Sequence, residues 1–399
     1  MATQPLMNVF NRLSVAFDHG EGAWLYDTEG NKYLDALCGI AVTGLGHAHP
    51  AITRAISEQA AKLIHCSNLY TIPQQTELAA KLARISGMEN AFFANSGAEA
   101  NEAAIKLARR YGHDRGIDNP AIIVMEHAFH GRTLATLSAT GNRATQQGFE
   151  PLVSGFVRVP YDDLDAVRQV ARNNPNVVAV LVEPVQGEGG IHIPASDYLN
   201  QLRDICDQHQ WLLMLDEVQT GNGRTGTYFC FQQNGILPDV VTTAKGLGNG
   251  FPIGVCLAQG VAADVLTPGT HGTTYGGNPL ACATGIAVVD TIEQDNLCAR
   301  ATELGERIAN GFRAQLGHSQ YVKEIRNKGL MIGIELTEAG SELVVLAKVK
   351  GILLNVTGGG KVVRLLPPLI MSDSEADLLV STVSQLIKVY TGEERDSAE

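Results

Sequence analysis

Val177-Val-Ala-Val-Leu-Val182, then a helical stretch that puts Leu199, Leu202, Ile205 and Cys206 on one face, then Trp211-Leu-Leu-Met-Leu215: this succession decides the fold. Neither apolar run alternates with polar residues, so each reads as a strand buried on both faces. Two such strands joined through an amphipathic helix form a βαβ unit of a parallel sheet. Outward from it lie further runs of the same kind, Ala121-Ile-Ile-Val-Met125, Asp239-Val-Val-Thr-Thr243 and Ile253-Gly-Val-Cys-Leu-Ala258. They alternate with helical patterns from about residue 51 to 285. The expected class is α/β, with a large domain over 51–285 whose mostly parallel central sheet is flanked by helices. From 286 the pattern changes. A long helical stretch reaches Leu316, shorter strands follow at Gly329–Leu336 and Val362–Leu366, and a last helix opens with the capping-box spacing Ser372-Asp-Ser-Glu375. Residues 286–399 therefore read as a smaller α+β domain. Residues 1–50 read as an N-terminal arm joining it, with a hairpin turning at Glu29-Gly30-Asn31.

The chain has 399 residues and a net charge of −12, which argues against nucleic acid and anionic membrane surfaces as partners. Its seven cysteines are scattered, without a Cys-x-x-Cys pair, so neither a disulfide framework nor a zinc site is suggested. A reducing, cytoplasmic setting is the simple expectation. The start, Met-Ala-Thr-Gln-Pro-Leu-Met7, lacks the basic and apolar regions of a secretion signal, and no apolar run approaches a membrane span.

The 239–243 run ends in Ala244-Lys245-Gly-Leu-Gly-Asn-Gly250, and no other lysine occurs between Lys106 and Lys323. Ligands bind at strand ends in open α/β sheets. An isolated lysine among glycine, alanine and leucine is either snorkelling at a sheet edge or desolvated for Schiff-base chemistry. From a reference pKa of about 10.4, the neutral amine at pH 7 costs about 4.6 kcal/mol, which burial and a nearby cation would offset.

Other stretches carry chemistry of their own. In Asn95-Ser-Gly-Ala-Glu99, Ser96 and Glu99 have capping-box spacing, and the N–H groups of Gly97 and Ala98 fall at a helix N-terminus: an ordinary capped helix or a phosphate site. Asp216 closes a buried apolar run in Leu215-Asp-Glu-Val-Gln-Thr-Gly221, where a carboxylate needs a partner. Taken with Lys245, it suggests the two anchors of pyridoxal phosphate, an imine-forming lysine and an acid on the pyridinium nitrogen. In Glu126-His-Ala-Phe-His-Gly-Arg132, Phe129 offers a ring face or core packing. His127 and His130 are one helical turn apart but lack a third metal ligand, so no metal is expected. Arg132 is a plausible carboxylate clamp. Glu183 and Glu188 follow the 177–182 strand. His271-Gly-Thr-Thr-Tyr275 supplies the hydroxyls of Thr273 and Thr274. Arg364, in an apolar setting, needs a carboxylate from protein or substrate. Gly246-Leu-Gly-Asn-Gly250 lacks the spacing of a dinucleotide fingerprint.

Together these motifs resemble the class III, fold-type I pyridoxal-phosphate aminotransferases, from Gly46-His-Ala-His-Pro50 to Arg364-Leu-Leu-Pro-Pro368. The resemblance implies pyridoxal 5′-phosphate on Lys245, which also carries the proton of the 1,3-shift. It implies Asp216 at the pyridine nitrogen, Phe129 and Val218 on the two ring faces and Gln219 near the ring hydroxyl. Ser96, Gly97 and Ala98 would hold the phosphate, with Thr274 reaching in from the partner of a homodimer. Arg132 would take the carboxylate remote from the reacting amine, in a substrate site that includes Thr273. Arg364 would take the α-carboxylate of glutamate or 2-oxoglutarate, with Glu188 masking it in the other half-reaction. The substrates implied are small amino acids and 2-oxo acids, with 2-oxoglutarate as acceptor. Related ornithine aminotransferases commonly carry tyrosines where Phe10 and Ile40 align here, so an acylated α-nitrogen, as in N2-acetylornithine, fits better than a free one. Succinylornithine, succinyl-diaminopimelate, ornithine and 4-aminobutyrate remain alternative donors. A decarboxylase or aminomutase on the same fold, and a cofactor-free binding protein, are the alternatives of other classes.

Overall fold

The computed structural model describes residues 5–394. The first four residues of the expected arm and the last five of the expected small domain lie outside them. Three strands open the chain, β1 (Phe17–Glu21), β2 (Trp24–Asp27) and β3 (Lys32–Asp35). The turn between β2 and β3 falls where Asp27 Oδ1 accepts from the N–H groups of Glu29 and Asn31 at 3.0 and 2.9 Å, an Asx-type closure.

The middle of the chain folds into a seven-stranded sheet of β4 (Asn90–Ala94), β5 (Ala121–Met125), β6 (Phe156–Val159), β7 (Val177–Val182), β8 (Leu212–Asp216), β9 (Val240–Thr243) and β10 (Gly254–Ala258). The order is β4-β10-β9-β8-β7-β5-β6. Every residue of β5, β7, β8, β9 and β10 is buried, as uninterrupted apolar runs require when helices cover both faces. The 253–258 run is a correction to the parallel reading: β10 is antiparallel to both β9 and β4. The segment 244–253 is too short for the crossover of a dozen or more residues that a parallel return needs. β4 and β6 have no counterpart among the expected strands. β6 is a half-exposed edge, and β4 is a five-residue run without a long apolar pattern.

The C-terminal part holds β11 (Val322–Lys328), β12 (Met331–Leu336), β13 (Ile352–Leu353), β14 (Asn355–Thr357) and β15 (Val362–Leu365). A four-stranded sheet runs β11-β12-β15-β14, while β13 pairs parallel with β3 and joins the first sheet. Two expectations change here. The stretch to Leu316 is two helices, Pro279–Gln294 and Leu297–Leu316, broken at Asn296 with φ +52°. The strand placed at 329–336 begins at Met331, because Gly329 (φ +52°) and Leu330 turn the β11–β12 hairpin. The last helix, Asp373–Tyr390, opens with the full capping box of Ser372 and Glu375 and buries Leu379, Val383 and Leu386. No helix among the described residues is long and apolar enough to cross a membrane.

The sheet directions have one consequence for function. β5, β7, β8 and β9 run parallel, and β4 shares their direction because it is antiparallel to β10. The C-terminal ends of these five strands therefore converge with the N-terminal end of β10.

Candidate active site

A cavity of about 390 Å³ opens at that edge, with Lys245, Asp216, Phe129, Val218, Gln219 and Glu188 among its lining. Ser96, Gly97, Ala98 and Arg132 line it as well. Lys245 stands two residues past β9, in a backbone at φ +43° that opens a short 3₁₀ turn. Burial pushes its ammonium below the usual lysine value. Arg364 adds to that lowering, while the Glu188, Asp216 and Glu183 carboxylates oppose it.

Asp216 ends β8 and is 4% exposed, and its carboxylate takes three donors from the protein, which leaves acceptor capacity on Oδ1. Oδ2 accepts from Asn101 Nδ2 and from His130 Nδ1, each at 2.8 Å, and Oδ1 accepts from Val218 N–H at 3.1 Å. Asn101 is itself fixed, donating to His130 O at 2.8 Å and accepting from Thr242 Oγ1 at 2.7 Å. Neither Asn101 nor His130 stands out in the sequence as a partner of Asp216. His127 and His130 do not share a helix face, because the 127–133 segment is irregular: His127 (φ +60°) is exposed, and His130 is buried against Asp216. Among the described residues no cluster of metal-ligating side chains occurs.

Ser96 caps the helix Gly97–Asp114 by accepting from Glu99 N–H at 3.2 Å. The reciprocal bond of a capping box goes elsewhere, since Glu99 Oε2 accepts from Asn95 N–H at 2.7 Å. The helix start packs against Val218: a Cβ at Gly97 would lie 2.6 Å from Val218 Cγ1, so only glycine fits. Arg132 is exposed, with its guanidinium carbon 5.7 Å from the Phe129 ring centroid.

Arg364, at the centre of β15, is fully buried and absent from the cavity lining. Its Nη1 donates to Glu188 Oε1 at 2.6 Å and its Nε to Asn355 Oδ1 at 3.0 Å, while Nη2 has no partner among the described residues. Burial by itself would raise the Glu188 carboxyl, but Arg364, with Lys245 and Gln219, outweighs it and holds the group below the ordinary range. Glu183 also lines the cavity, and burial pushes its carboxyl up to about 7. Thr273 and Thr274 are not in this lining. Thr273 faces a neighbouring cleft, where its Oγ1 accepts from Gly276 N–H at 3.1 Å, and Thr274 is exposed. Phe10 and Ile40 do not line the cavity either; Val42 does, carried by a turn in which Cys38, Gly39, Ile40 and Ala41 all have positive φ.

Several comparisons bear on this geometry. An acetylornithine aminotransferase of Nitrosomonas europaea is 58% identical over 382 residues, covering 96% of this chain and 97% of the relative. An ornithine aminotransferase of Toxoplasma gondii superposes with TM-score 0.94 at 32% identity, covering 98% of this chain and 94% of that one. An N-acetylornithine aminotransferase of Stenotrophomonas maltophilia superposes with TM-score 0.83 at 33% identity, covering 96% and 98%. The model of the family "Aminotransferase class-III" matches residues 8–387. A lysine and a carboxylate at adjacent strand ends, a capped helix start beside them and a family match over nearly the whole chain agree, and the chain belongs to the class III aminotransferases.

Proposed function

We propose that this aminotransferase moves the terminal amino group of N2-acetyl-L-ornithine to 2-oxoglutarate. The products are N-acetyl-L-glutamate 5-semialdehyde and L-glutamate, in arginine biosynthesis. The observation that carries the reading is the ion pair of buried Arg364 with half-buried Glu188 beside Lys245. Glutamate brings two carboxylates and suits two cations, Arg132 and Arg364. N2-acetylornithine brings one, which Arg132 takes, and Arg364 is then neutralised by Glu188. An unmatched buried charge costs about 3–5 kcal/mol, so a removable internal partner lets one site serve both substrates. The 58% identity to an enzyme named for acetylornithine supports the donor.

The cofactor of this family is pyridoxal 5′-phosphate, and the residues fit it. Gln219 Oε1 is buried without a partner, the Gly97–Ala98 helix start is free of side-chain bulk, and Asp216 is held in one orientation by three donors. When bound, it supplies a protonated pyridine conjugated to an imine, which takes the electron pair released when a proton leaves the amine-bearing carbon. Lys245 would hold the cofactor, and its Nζ would carry the proton between the two ends of the 1,3-shift. Asp216 would keep the ring nitrogen protonated. Phe129 and Val218 would enclose the ring, and the unpartnered Oε1 of Gln219 would accept from the ring hydroxyl. Ser96, Gly97 and Ala98 receive the phosphate, where the helix terminus favours an anion.

A homodimer completes the site in this reading, with Thr274 of each chain on the phosphate of the other and Thr273 close to the substrate. The exposed Leu69, Tyr70 and Tyr275 near that segment support it. Of the division at 1–50, 51–285 and 286–399, sheet membership supports joining the arm to the C-terminal part, since the arm's sheet is completed by β13, while the helix Pro279–Gln294 runs across the 285/286 boundary. Free cysteines, mostly buried, support a reducing cytoplasm. The deciding experiment adds N2-acetylornithine, N2-succinylornithine, ornithine and 4-aminobutyrate to the loaded enzyme and follows loss of the lysine-bound cofactor's absorbance. N2-acetylornithine is expected to react fastest; a faster reaction with free ornithine would reject the donor.

A further inference from the structure

Glu183, just past the end of β7, is a buried acid that none of the roles above uses. It is 5% exposed and has no ion pair among the described residues. Its two oxygens serve two separate backbone segments. Oε1 accepts from Phe129 N–H at 2.9 Å, and Oε2 accepts from Gly187 N–H at 3.2 Å. Phe129 and Glu188, the residue after Gly187, line both the 390 Å³ cavity and an adjoining cleft of about 600 Å³. They form a common wall, and Glu183 is bonded to the backbone on each side of it.

The rest of the Glu188 turn is also held by its backbone. Gln186 and His192 exchange N–H to O bonds at 3.1 Å, and Gln186 Nε2 donates to Glu126 O at 2.7 Å. Arg326 donates to Gly190 O at 2.7 Å and Ile191 O at 2.8 Å, and Thr357 Oγ1 donates to Glu188 O. Gly187 packs closely against the Gln219 side chain, since a Cβ there would lie 2.1 Å from Gln219 Oε1. We infer that Glu183 is a positioning residue that fixes Phe129 and Gly187 together, so that Glu188 leaves Arg364 by rotating its side chain on a stationary turn. The inference rests on the exchange of Arg364 partners proposed above. Burial pushes the Glu183 carboxyl up while His130 and the two amides pull it down. A carboxyl kept in so unfavourable a place is consistent with a geometric duty that an apolar residue would not perform.

Two variants of the loaded enzyme test this. Glu183→Gln retains one acceptor oxygen for Phe129 N–H but turns an NH₂ toward Gly187 N–H. Glu183→Asp keeps the charge but is one methylene too short to reach both amides. Residue-level hydrogen exchange should show Gly187 losing tenfold or more of its protection in Glu183→Gln, with β7 unchanged. Stopped-flow half-reactions should show N2-acetylornithine slowed at least tenfold more than glutamate, because only that donor needs Glu188 seated on Arg364. Gly187 protection that stays within twofold overturns the inference, and so does equal slowing of the two donors. If Glu183→Gln does not fold, Glu183→Asp decides by the same two measurements. A wild-type enzyme that reacts with glutamate but not with N2-acetylornithine would sink the donor assignment alone. The ratio would then be read with the amine that does react.

Discussion

Asp216 and Arg364 are both buried charges near Lys245, 4% and 0% exposed, yet the chain treats them oppositely. Asp216 has three donors, from the Gly97–Asp114 helix, from the segment after β5 and from its own turn. Arg364 stands on the C-terminal sheet, bonds neutral Asn355 and one acid from the segment after β7, and leaves Nη2 without a partner among the described residues. In the proposed cycle, a carboxylate held by three donors and still able to accept a fourth suits a charge that keeps one ligand in one orientation. A cation with one neutral partner and one detachable acid suits a charge that meets a substrate carboxylate in one half-reaction and none in the other. Under that proposal, holding and switching differ in whether the counter-charge is replaceable.

The largest effect is expected at the lysine between the two charges. Lys245→Ala should lower turnover by about four orders of magnitude or more while far-ultraviolet circular dichroism stays unchanged, because it removes both the anchor and the proton carrier. Borohydride reduction and peptide mapping of the wild type should place the cofactor on the peptide holding Lys245; label on any other lysine refutes the assignment. Asp216→Asn should next lower single-turnover rates by about 10²–10³-fold, the usual cost of removing one preorganised charge. Some cofactor should remain, since the charge-assisted bond alone is worth about 1.5–3 kcal/mol. Near wild-type rates in that variant would break the contrast at its holding end.

The switching end is tested by Glu188→Gln, which leaves Arg364 positive at all times. The glutamate half-reaction should survive or strengthen. N2-acetylornithine can then dock backwards, with its carboxylate on Arg364, and should lose about 3 kcal/mol of discrimination, more than a hundredfold in rate ratio. Equal effects on both donors would make Glu188 structural. Thr274→Val should weaken cofactor retention by about tenfold or less, the range of one hydrogen bond, without changing the dimer in sedimentation. Mixing Lys245→Ala with Thr274→Val chains places both defects in one site and frees the other. No recovery of activity over the parents would exclude a shared site.

The smallest effect sharpens the comparison through pH. Burial and Arg364 lower the Lys245 ammonium, and Glu188 raises it. In cofactor-free protein the reactive form is the neutral amine, so cofactor capture should rise with pH at a midpoint below that of an ordinary lysine. Removing the Glu188 charge lowers that midpoint further. Glu188→Gln should therefore capture cofactor a few-fold faster at pH 7–8, and a slower capture would show that the two charges do not sense each other as described.

How much of this was legible in the chain depends on the distance over which each feature is built. The apolar runs of β5, β7, β8 and β9 read correctly because burial on both faces leaves a continuous local mark. Asp216 and Lys245 could be singled out for the same reason, since each stands at or just past such a run. β6 escaped because a half-exposed edge carries a weak pattern, and the break at Asn296 escaped because helical periodicity continues on both sides of it. The spacing of His127 and His130 says nothing of their partners, because the segment that carries them is irregular and not the helix that the spacing implies.

By itself the sequence determined the class of the fold and that Asp216 and Lys245 stand at or just past buried strands, because strand burial, glycine-rich turns and isolated charges are properties of neighbours along the chain. The tertiary structure alone decided who partners whom. Asn101 reaches Asp216 across 115 positions, Arg364 reaches Glu188 across 176, and Glu183 joins Phe129 to Gly187 across the sheet edge. The direction of β10 belongs to the same class. Such pairings are set by the crossing of backbones around a common core, and a hydrogen bond made there leaves no periodic trace in the residues between its ends.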